Sequence, residues 1–349
     1  MATRNPGQLF MTGLPGLSLD EATRALVRKY RVGNFILFRR NIAEAAQLAE
    51  LNAQLRSLCA ACDLPPPLIA IDQEGGSVSR LPPPFRQFGD ARLIGKAADP
   101  AAAAAGFAIG CADELRSVGI NMNLAPVLDI CPAGEGCVMD RRCLSDDPVE
   151  AAQLGSIIIS RMQSRDVAAC AKHFPGLGSI RIDPHHRLPR VDKPAADLLR
   201  EDLLPFIAAI EAEVAAIMTS HTVYTNMDGR VPATLSPPLL SGLLRKRLGY
   251  RGLIVTDDLE MGAIVEDMSV PQASLRAFLA GADLLLVCEH QEKVGQACAL
   301  FADALSSGVI SDERFDASLA TIARVQQRFA ATAEKAGDTL ADNRRTASA

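Results

Sequence analysis

The chain has 349 residues, enough for one large domain or two of ordinary size. Its 36 lysines and arginines against 41 aspartates and glutamates give a formal net charge of −5, which gives no reason to expect nucleic acid or an anionic membrane as a partner. No apolar run approaches the length of a bilayer span, and the opening MATRNPGQ lacks the pattern of a secretory signal, so we expect a cytoplasmic protein.

Short apolar runs recur along the chain and predict β-strands. Each run is continuously apolar rather than alternating, as expected for a parallel sheet that is covered by helices. In chain order the eight predicted strands are Gln8 to Thr12, Gly33 to Phe38, Leu68 to Asp72, Ile120 to Pro126, Val167 to His173, Ala215 to His221, Gly252 to Asp258 and Ala282 to Cys288.

Longer stretches rich in Ala and Leu separate these runs and predict helices. Examples are Asp20 to Tyr30, Glu44 to Cys59, Pro148 to Arg161 and Leu199 to Glu211. Eight strands that alternate with helices favour a closed barrel over an open doubly wound sheet. The sequence therefore predicts an α/β fold, a single (β/α)₈ TIM barrel over residues 1–330, followed by a polar tail over residues 331–349.

Nine cysteines are scattered along the chain, and several lie in apolar segments. Such positions are typical of buried free thiols in a reducing compartment. Cys59 and Cys62 form a Cys-x-x-Cys pair. A redox or metal role would need a second pair or a thioredoxin-like context, and the sequence has neither, so we interpret the pair as ordinary thiols.

Polar side chains collect where the predicted strands end, which in barrel enzymes is where the active site lies. Charges must appear wherever a strand leaves the core, but that explains only one or two such ends. Four strand ends of the predicted barrel carry reactive residues, namely Asp72 to Glu74, Lys172-His173, Ser220-His221 and Asp257-Asp258. This concentration indicates catalysis.

Asp257 follows the apolar run Leu253 to Thr256, so a rigid strand should hold its carboxylate at the rim. A nucleophile needs that precision and must stay ionised, which a nearby Lys172 would favour. The alternative is that one of the two aspartates caps the following helix. We assign chemistry to Asp257 and capping or structural work to Asp258.

The loop after strand five contains a second constellation, Asp183-Pro184-His185-His186. An aspartate two residues from a histidine can set its tautomer and raise its basicity, and histidine exchanges protons near neutral pH. A solvated polar loop explains the local sequence equally well.

Several segments together resemble glycoside hydrolase family 3, in particular its single-domain bacterial β-N-acetylhexosaminidase branch. The resemblance runs from about Gln8 to about Gln327. The matching segments are GNFILFRRN, IDQEGGSVSRL, LAPVLDI, RRCLSDDP, AKHFPGLGS, the DPH of Asp183 to His185, IMTSHTVY and LGYRGLIVTDDLEMGAI. The chain departs from the family pattern at Leu177, at Pro184 and at Cys143-Leu144.

The resemblance implies a role for each candidate residue. Asp257 would be the nucleophile that forms a covalent glycosyl intermediate, and His185, backed by Asp183, the general acid/base. The groups that would grip the sugar hydroxyls are Asp72, Arg80, Arg142, Lys172 and His173. The implied reaction is the retaining hydrolysis of a terminal β-linked N-acetylglucosamine, on a muropeptide or a chitin fragment, with a small carbohydrate as partner and no cofactor.

Other functions remain open. A glycosyl phosphorylase, a β-glucosidase or a β-xylosidase could use the same barrel. A metal-dependent hydrolase would use His173, Asp183, His185 and His186 as ligands, but it does not predict the segments around Asp72 and Asp257. A non-catalytic sugar-binding barrel would not require Asp257 and His185.

Overall fold

The computed structural model describes residues 5–131, 136–178, 180 and 188–330. Its strands form an eight-stranded sheet in the order β10-β1-β2-β3-β4-β5-β7-β9 and a two-stranded sheet of β6 and β8. The strands are β1 (Phe10–Gly13), β2 (Asn34–Leu37), β3 (Leu68–Ile71), β4 (Met122–Asn123), β5 (Ala168–Phe174), β6 (Arg190–Val191), β7 (Ala216–Thr219), β8 (Val223–Tyr224), β9 (Leu253–Val255) and β10 (Leu285–Val287).

All neighbours in the large sheet run parallel, and the sheet closes on itself between its two edge strands. Val255 and Leu284 form a parallel bridge there, and the Thr256 N–H donates to the Leu284 carbonyl at 3.0 Å. Each of the eight predicted strands overlaps one strand of this barrel. The predicted (β/α)₈ barrel is therefore confirmed.

The small sheet was not predicted from the sequence. Its two strands pair in parallel, with Arg190 opposite Val223 and Val191 opposite Tyr224. Both strands are only two residues long, too short to show a periodic pattern. They lie in the segments that follow β5 and β7, so they connect two loops that leave the barrel at its C-terminal end.

Helices follow the strands around the barrel. The α-helices are α1 (Glu21–Tyr30), α2 (Ala45–Ala61), α3 (Arg92–Gly95), α4 (Pro100–Ser117), α5 (Pro148–Gln163), α6 (Ala195–Asp197), α7 (Leu204–Glu211), α8 (Thr225–Asp228), α9 (Gly262–Val265), α10 (Val270–Ala280), α11 (Gln291–Ser306) and α12 (Asp312–Phe329). Two π-helical segments cover Leu198–Asp202 and Pro238–Arg247, and 3₁₀ turns cover Pro6–Leu9, Arg39–Asn41 and Ala233–Leu235.

Side-chain caps determine where several helices begin. The Asp20 carboxylate accepts the Thr23 N–H at 2.9 Å before α1, and Asp147 accepts two N–H groups before α5. The predicted helices at these places are confirmed within two residues. The helix predicted over Leu199 to Glu211 is confirmed from Leu204 to Glu211, but its first residues form a π-helical turn, and α7 begins after it with Pro205 in its first turn. Proline has no N–H to continue the preceding helix.

Buried amides hold the short strand β4 in the barrel. The Asn121 side chain accepts the Ile69 N–H at 2.8 Å, and the Asn123 side chain exchanges hydrogen bonds of 3.0 Å with both backbone groups of Gln73. These bonds replace the ladder that a two-residue strand cannot provide. They also fix the start of the loop after β3, which carries candidate site residues.

All nine cysteines are free thiols, and all but Cys62 are buried. Burial raises the pKa of Cys59 to about 12. No helix in the described parts of the chain has both the length and the apolar character needed to cross a membrane. The predicted tail, residues 331–349, lies outside the described residues.

Candidate active site

The ends of β3 and β5 come together although β4 lies between them. Asp72 directly follows β3, and Lys172 lies within β5. The Lys172 ammonium is 2.7 Å from Asp72 Oδ1 and 2.7 Å from Glu74 Oε1. Burial alone would lower the pKa of Lys172, but the charges of Asp72 and Glu74 raise it above its usual value. Lys172 is therefore a permanent cation in the mouth of the barrel.

Glu74 is a buried anion between two cations. Its side chain is 3% exposed, and Arg142 donates to both of its carboxylate oxygens at 2.8 Å. Burial raises the pKa of Glu74, but the charges of Lys172 and Arg142 and their hydrogen bonds outweigh it and lower the pKa to about 2. A bidentate guanidinium–carboxylate pair also fixes orientation, so Glu74 holds both cations in place.

Arg80 approaches Asp72 from the other side. Its guanidinium Nη2 is 3.6 Å from Asp72 Oδ2, and its guanidinium carbon is 5.8 Å from the centre of the Phe38 ring. The Gln73 side chain accepts the Arg80 backbone N–H at 2.8 Å and so fixes the loop. Asp72 thus faces one cation at each oxygen, and a carboxylate in this position can still accept hydroxyl groups of a ligand through its remaining lone pairs.

His173 lies between two carboxylates. Its Nδ1 is 2.8 Å from Oδ2 of Asp129, whose side chain is fully buried (0% exposed), and its Nε2 is 3.9 Å from Asp257 Oδ2. The other Asp129 oxygen accepts the backbone N–H groups of His173 and Leu177 at 3.2 and 2.9 Å. Because a carboxylate only accepts, Nδ1 carries a proton, and Nε2 is directed towards Asp257.

Asp257 lies two residues beyond β9, with its side chain 23% exposed. The Asp258 N–H donates to its Oδ1 at 2.8 Å. Burial raises the pKa of Asp257, but the charges of His173, His221 and Lys172 outweigh it, so the pKa lies below its usual value. The carboxylate is therefore ionised, accessible and fixed at the end of a strand, as a nucleophile requires.

Asp258 has a different environment from its neighbour. Its Oδ1 accepts the N–H groups of Glu260 and Cys288 at 3.1 and 3.3 Å, which links the loop after β9 to the end of β10. Burial, which the nearby acidic groups reinforce, raises its pKa to about 7. It does not cap α9, whose N-terminal flanking residue is Met261. Its contacts are those of a residue that holds the loop.

His221 continues this network. Its Nε2 donates to the Asp258 carbonyl at 2.9 Å, and its Nδ1 lies 2.8 Å from the Thr234 hydroxyl. The carbonyl can only accept, so Nε2 carries a proton. His221 thereby connects the end of β7 to the segment that bears Asp257.

The structure brings together Asp72, Arg80, Arg142, Lys172, His173 and Asp257. The proposed acid/base residues Asp183 and His185, together with Pro184 and His186, lie outside the described residues. Among the residues that the structure describes, no three His, Cys, Asp or Glu side chains are arranged to hold a metal ion.

The roles of Glu74 and Asp129 were not predicted from the sequence. Glu74 lies two residues after Asp72 in the same segment, and its partner Arg142 is remote in sequence, so only the fold reveals the pair. Asp129 ends the apolar segment Leu124 to Leu128, which is the signal used for the other strand ends. The sequence therefore carries the same signal at Asp129.

The chain is similar to known proteins over most of its length. The model described as the glycosyl hydrolase family 3 N-terminal domain matches residues 4–325. A β-hexosaminidase from Thioalkalivibrio sulfidiphilus is 37% identical over 325 residues, which cover 91% of this chain and 88% of that protein.

Solved structures give the same picture. A family 3 β-N-acetylglucosaminidase from Paenibacillus sp. superposes with a TM-score of 0.91 at 40% identity over 95% of this chain, which spans 63% of that protein. A β-N-acetylhexosaminidase from Beutenbergia cavernae superposes with a TM-score of 0.83 at 30% identity, covering 93% of this chain and 96% of that one.

Proposed function

This chain belongs to glycosyl hydrolase family 3, and from that membership we propose that it is a retaining exo-glycosidase that removes terminal β-linked N-acetylglucosamine. The observation that carries the proposal is the state of Asp257. Its carboxylate is accessible, held at the end of β9, and kept ionised by the neighbouring His173, His221 and Lys172.

In the proposed mechanism, Asp257 attacks the anomeric carbon and forms a covalent glycosyl ester. His185 protonates the departing oxygen, and in the second step it takes a proton from water, which releases the sugar with its β configuration restored. Asp183 orients His185 and raises its basicity. A histidine in this role is neutral at the start of the second step, so it does not repel an anionic acceptor.

The remaining polar groups bind the sugar. Asp72 accepts hydroxyl protons, while Lys172 and Arg80 donate charge-assisted bonds from either side of it. Arg142 and His173 contact the remaining sides of the bound sugar. Support comes from the buried partners Glu74 and Asp129, which orient these donors before a substrate arrives and so reduce the cost of ordering them.

For the substrate we propose terminal N-acetylglucosamine on small glycans, either cell-wall muropeptides or chitin fragments. This substrate is supported by the names of the similar proteins, which are a β-hexosaminidase and a β-N-acetylglucosaminidase. We place the reaction in the cytoplasm, where thiols stay reduced, because all nine cysteines are free.

The nucleophile is tested with Asp257→Ala on an aryl β-N-acetylglucosaminide. We expect a loss of at least about 10³-fold in turnover, as when other enzymes lose a nucleophile. Asp113→Asn, which removes one charge from the exposed pair with Arg165, is the matched control. A 5-fluoro glycosyl fluoride should label wild type on Asp257, as seen by peptide mass. Undiminished turnover of Asp257→Ala would remove this residue from the role.

The acid/base assignment is tested separately. His185→Ala should slow the release of the glycosyl intermediate from an activated substrate, and azide should restore turnover. His186→Ala serves as its control, and the reverse result would exchange the two histidines. Activity that survives exhaustive chelation would exclude the metal-dependent hydrolase.

The sugar preference is tested with aryl β-glycosides that differ only at the 2-position. We expect the 2-acetamido sugar to give the highest kcat/KM. A preference for the glucoside or xyloside would replace the proposed substrate while leaving the mechanism intact.

A further inference from the structure

The chain segment that bears Asp183 and His185 has two described ends. We call residues 176–178, which begin two positions after the end of β5, the first stem, and residues 188–193, which include β6, the second stem. The two stems set where the chain enters and leaves the segment between them. The contacts that join the stems therefore bear on the chemistry of the segment.

Tyr224 joins the two stems with a single residue. Its hydroxyl donates to the Gly176 carbonyl, on the first stem, at 2.8 Å. Its backbone lies in β8 and pairs with Val191 of the second stem. The side chain is fully buried (0% exposed), so no solvent competes for this hydrogen bond.

A second contact joins the same stems independently. Gly176 has a φ of +118°, and a Cβ at this position would lie 2.8 Å from the Asp202 Cβ, so the first stem packs closely on Asp202. The buried Asp202 carboxylate forms an ion pair with Lys193 of the second stem, and Lys193 also contacts Glu201 at 2.8 Å. Asp202 therefore contacts both stems, as Tyr224 does.

Residues 223–226, which include β8, also hold the second stem in place. The Thr225 hydroxyl and the Asn226 amide bond to Asp192 at 2.7 and 3.0 Å, and the Val223 N–H donates to the Pro189 carbonyl at 3.0 Å. The first stem is held to the sugar-binding machinery, because the Leu177 N–H donates to Asp129, the partner of His173.

We propose that Tyr224 is a positioning residue for the acid/base step, with the Asp202–Lys193 pair as its second support. The inference rests on the proposed role of His185. A segment whose ends are held at a fixed separation samples fewer conformations, so a functional group on it spends more time in reactive geometry. Without the Tyr224 hydroxyl the two stems separate more freely, and proton transfer loses efficiency while nucleophilic attack does not.

The test compares Tyr224→Phe with wild type on aryl β-N-acetylglucosaminides of graded leaving-group acidity. A phenyl glycoside needs protonation of its leaving group, whereas a 2,4-dinitrophenyl glycoside does not. We expect a loss of about tenfold on the phenyl substrate, part of the 10²–10⁴-fold that a positioned acid/base contributes. On the dinitrophenyl substrate with azide present, we expect turnover close to wild type.

Tyr250→Phe is the matched control. Tyr250 is also buried, and its hydroxyl donates to backbone carbonyls of Val214 and Leu253 at 3.2 and 3.3 Å, but these flank the N-terminal ends of β7 and β9. Its loss should alter thermal stability without dependence on the leaving group. Asp202→Asn, which keeps the side-chain shape beside Gly176, is the second variant and should repeat the pattern of Tyr224→Phe.

A double variant separates this inference from the proposed function. If Tyr224 acts through His185, then Tyr224→Phe adds no further loss to His185→Ala on the phenyl substrate. Additive losses, or a Tyr224→Phe defect equal on all leaving groups, would overturn the positioning role while His185 keeps its own. If His185→Ala itself shows no leaving-group dependence, the acid/base assignment fails first, and the inference fails with it.

Discussion

Glu74→Gln removes a buried negative charge from the candidate site. Glu74 is 3% exposed and contacts Lys172 and both donating nitrogens of Arg142. Burial raises the pKa of Glu74, but the two cations lower it from 4.5 to about 2. At about 1.4 kcal/mol per pKa unit, the ionised carboxylate contributes about 3 kcal/mol to the free energy of unfolding.

The sign of the pH dependence follows from the lowered pKa. The contribution of Glu74 is complete above pH 4.5 and is lost as the pH falls towards 2. Urea unfolding, followed by circular dichroism between pH 7 and pH 3, should therefore show Glu74→Gln about 3 kcal/mol less stable than wild type at neutral pH. The difference should shrink below pH 4.5. We also expect a higher KM for the variant, because Lys172 and Arg142 lose the carboxylate that holds them in place.

Glu289→Gln provides the control. Glu289 pairs with Arg40 at 2.5 Å but is 53% exposed, and exposed pairs contribute at most about 1 kcal/mol. A destabilisation by Glu74→Gln that is as small as this control, or that does not change with pH, would refute the electrostatic argument. The pair would then serve orientation alone.

Because the pKa of Asp257 lies below its usual value, the acidic limb of the kcat/KM profile, which reports the nucleophile, should lie below the usual pKa of aspartate, and the alkaline limb should report the proton that His185 donates. An alkaline limb that disappears in His185→Ala would agree with this, and one that is unchanged would contradict it. Burial raises the pKa of Cys59, Cys170 and Cys298 to about 12, so iodoacetamide should label them only after unfolding, as intact mass would report. Hydrolysis predicts the free sugar as main product with or without phosphate, and a sugar 1-phosphate as main product would establish phosphorolysis instead.

The strands could be predicted because each is buried on both faces, which leaves an uninterrupted apolar run in the sequence. The break before α7 was less visible, because Pro205 is compatible with either the first turn of a new helix or a kink. The pairing of β6 with β8 could not be predicted, since two residues carry no period and the partners are more than 30 positions apart.

The candidate site was predictable in outline for a related reason. Parallel strands of a barrel deliver their C-terminal ends to one face, so polar residues after apolar runs converge there. The residues that orient these side chains and shift their pKa values could not be predicted in this way. They come from loops, and where a loop lies depends on the whole fold. Arg142 on Glu74 and Asp129 on His173 are contacts of this kind.

The adjacent residues Asp257 and Asp258 show why composition alone could not separate nucleophile from support. The two carboxylates are chemically identical, and burial raises the pKa of both. The charges of Lys172, His173 and His221 reverse the effect at Asp257. At Asp258 the charges of Glu260 and Asp257 reinforce burial and outweigh the backbone N–H donors, and its pKa reaches about 7. One residue thus stays ionised and reactive, while the other titrates near neutrality and holds the loop. The difference is set by Lys172 and His173 in β5 and by His221 just after β7. Removing these side chains one at a time should raise the pKa of Asp257 towards that of its neighbour.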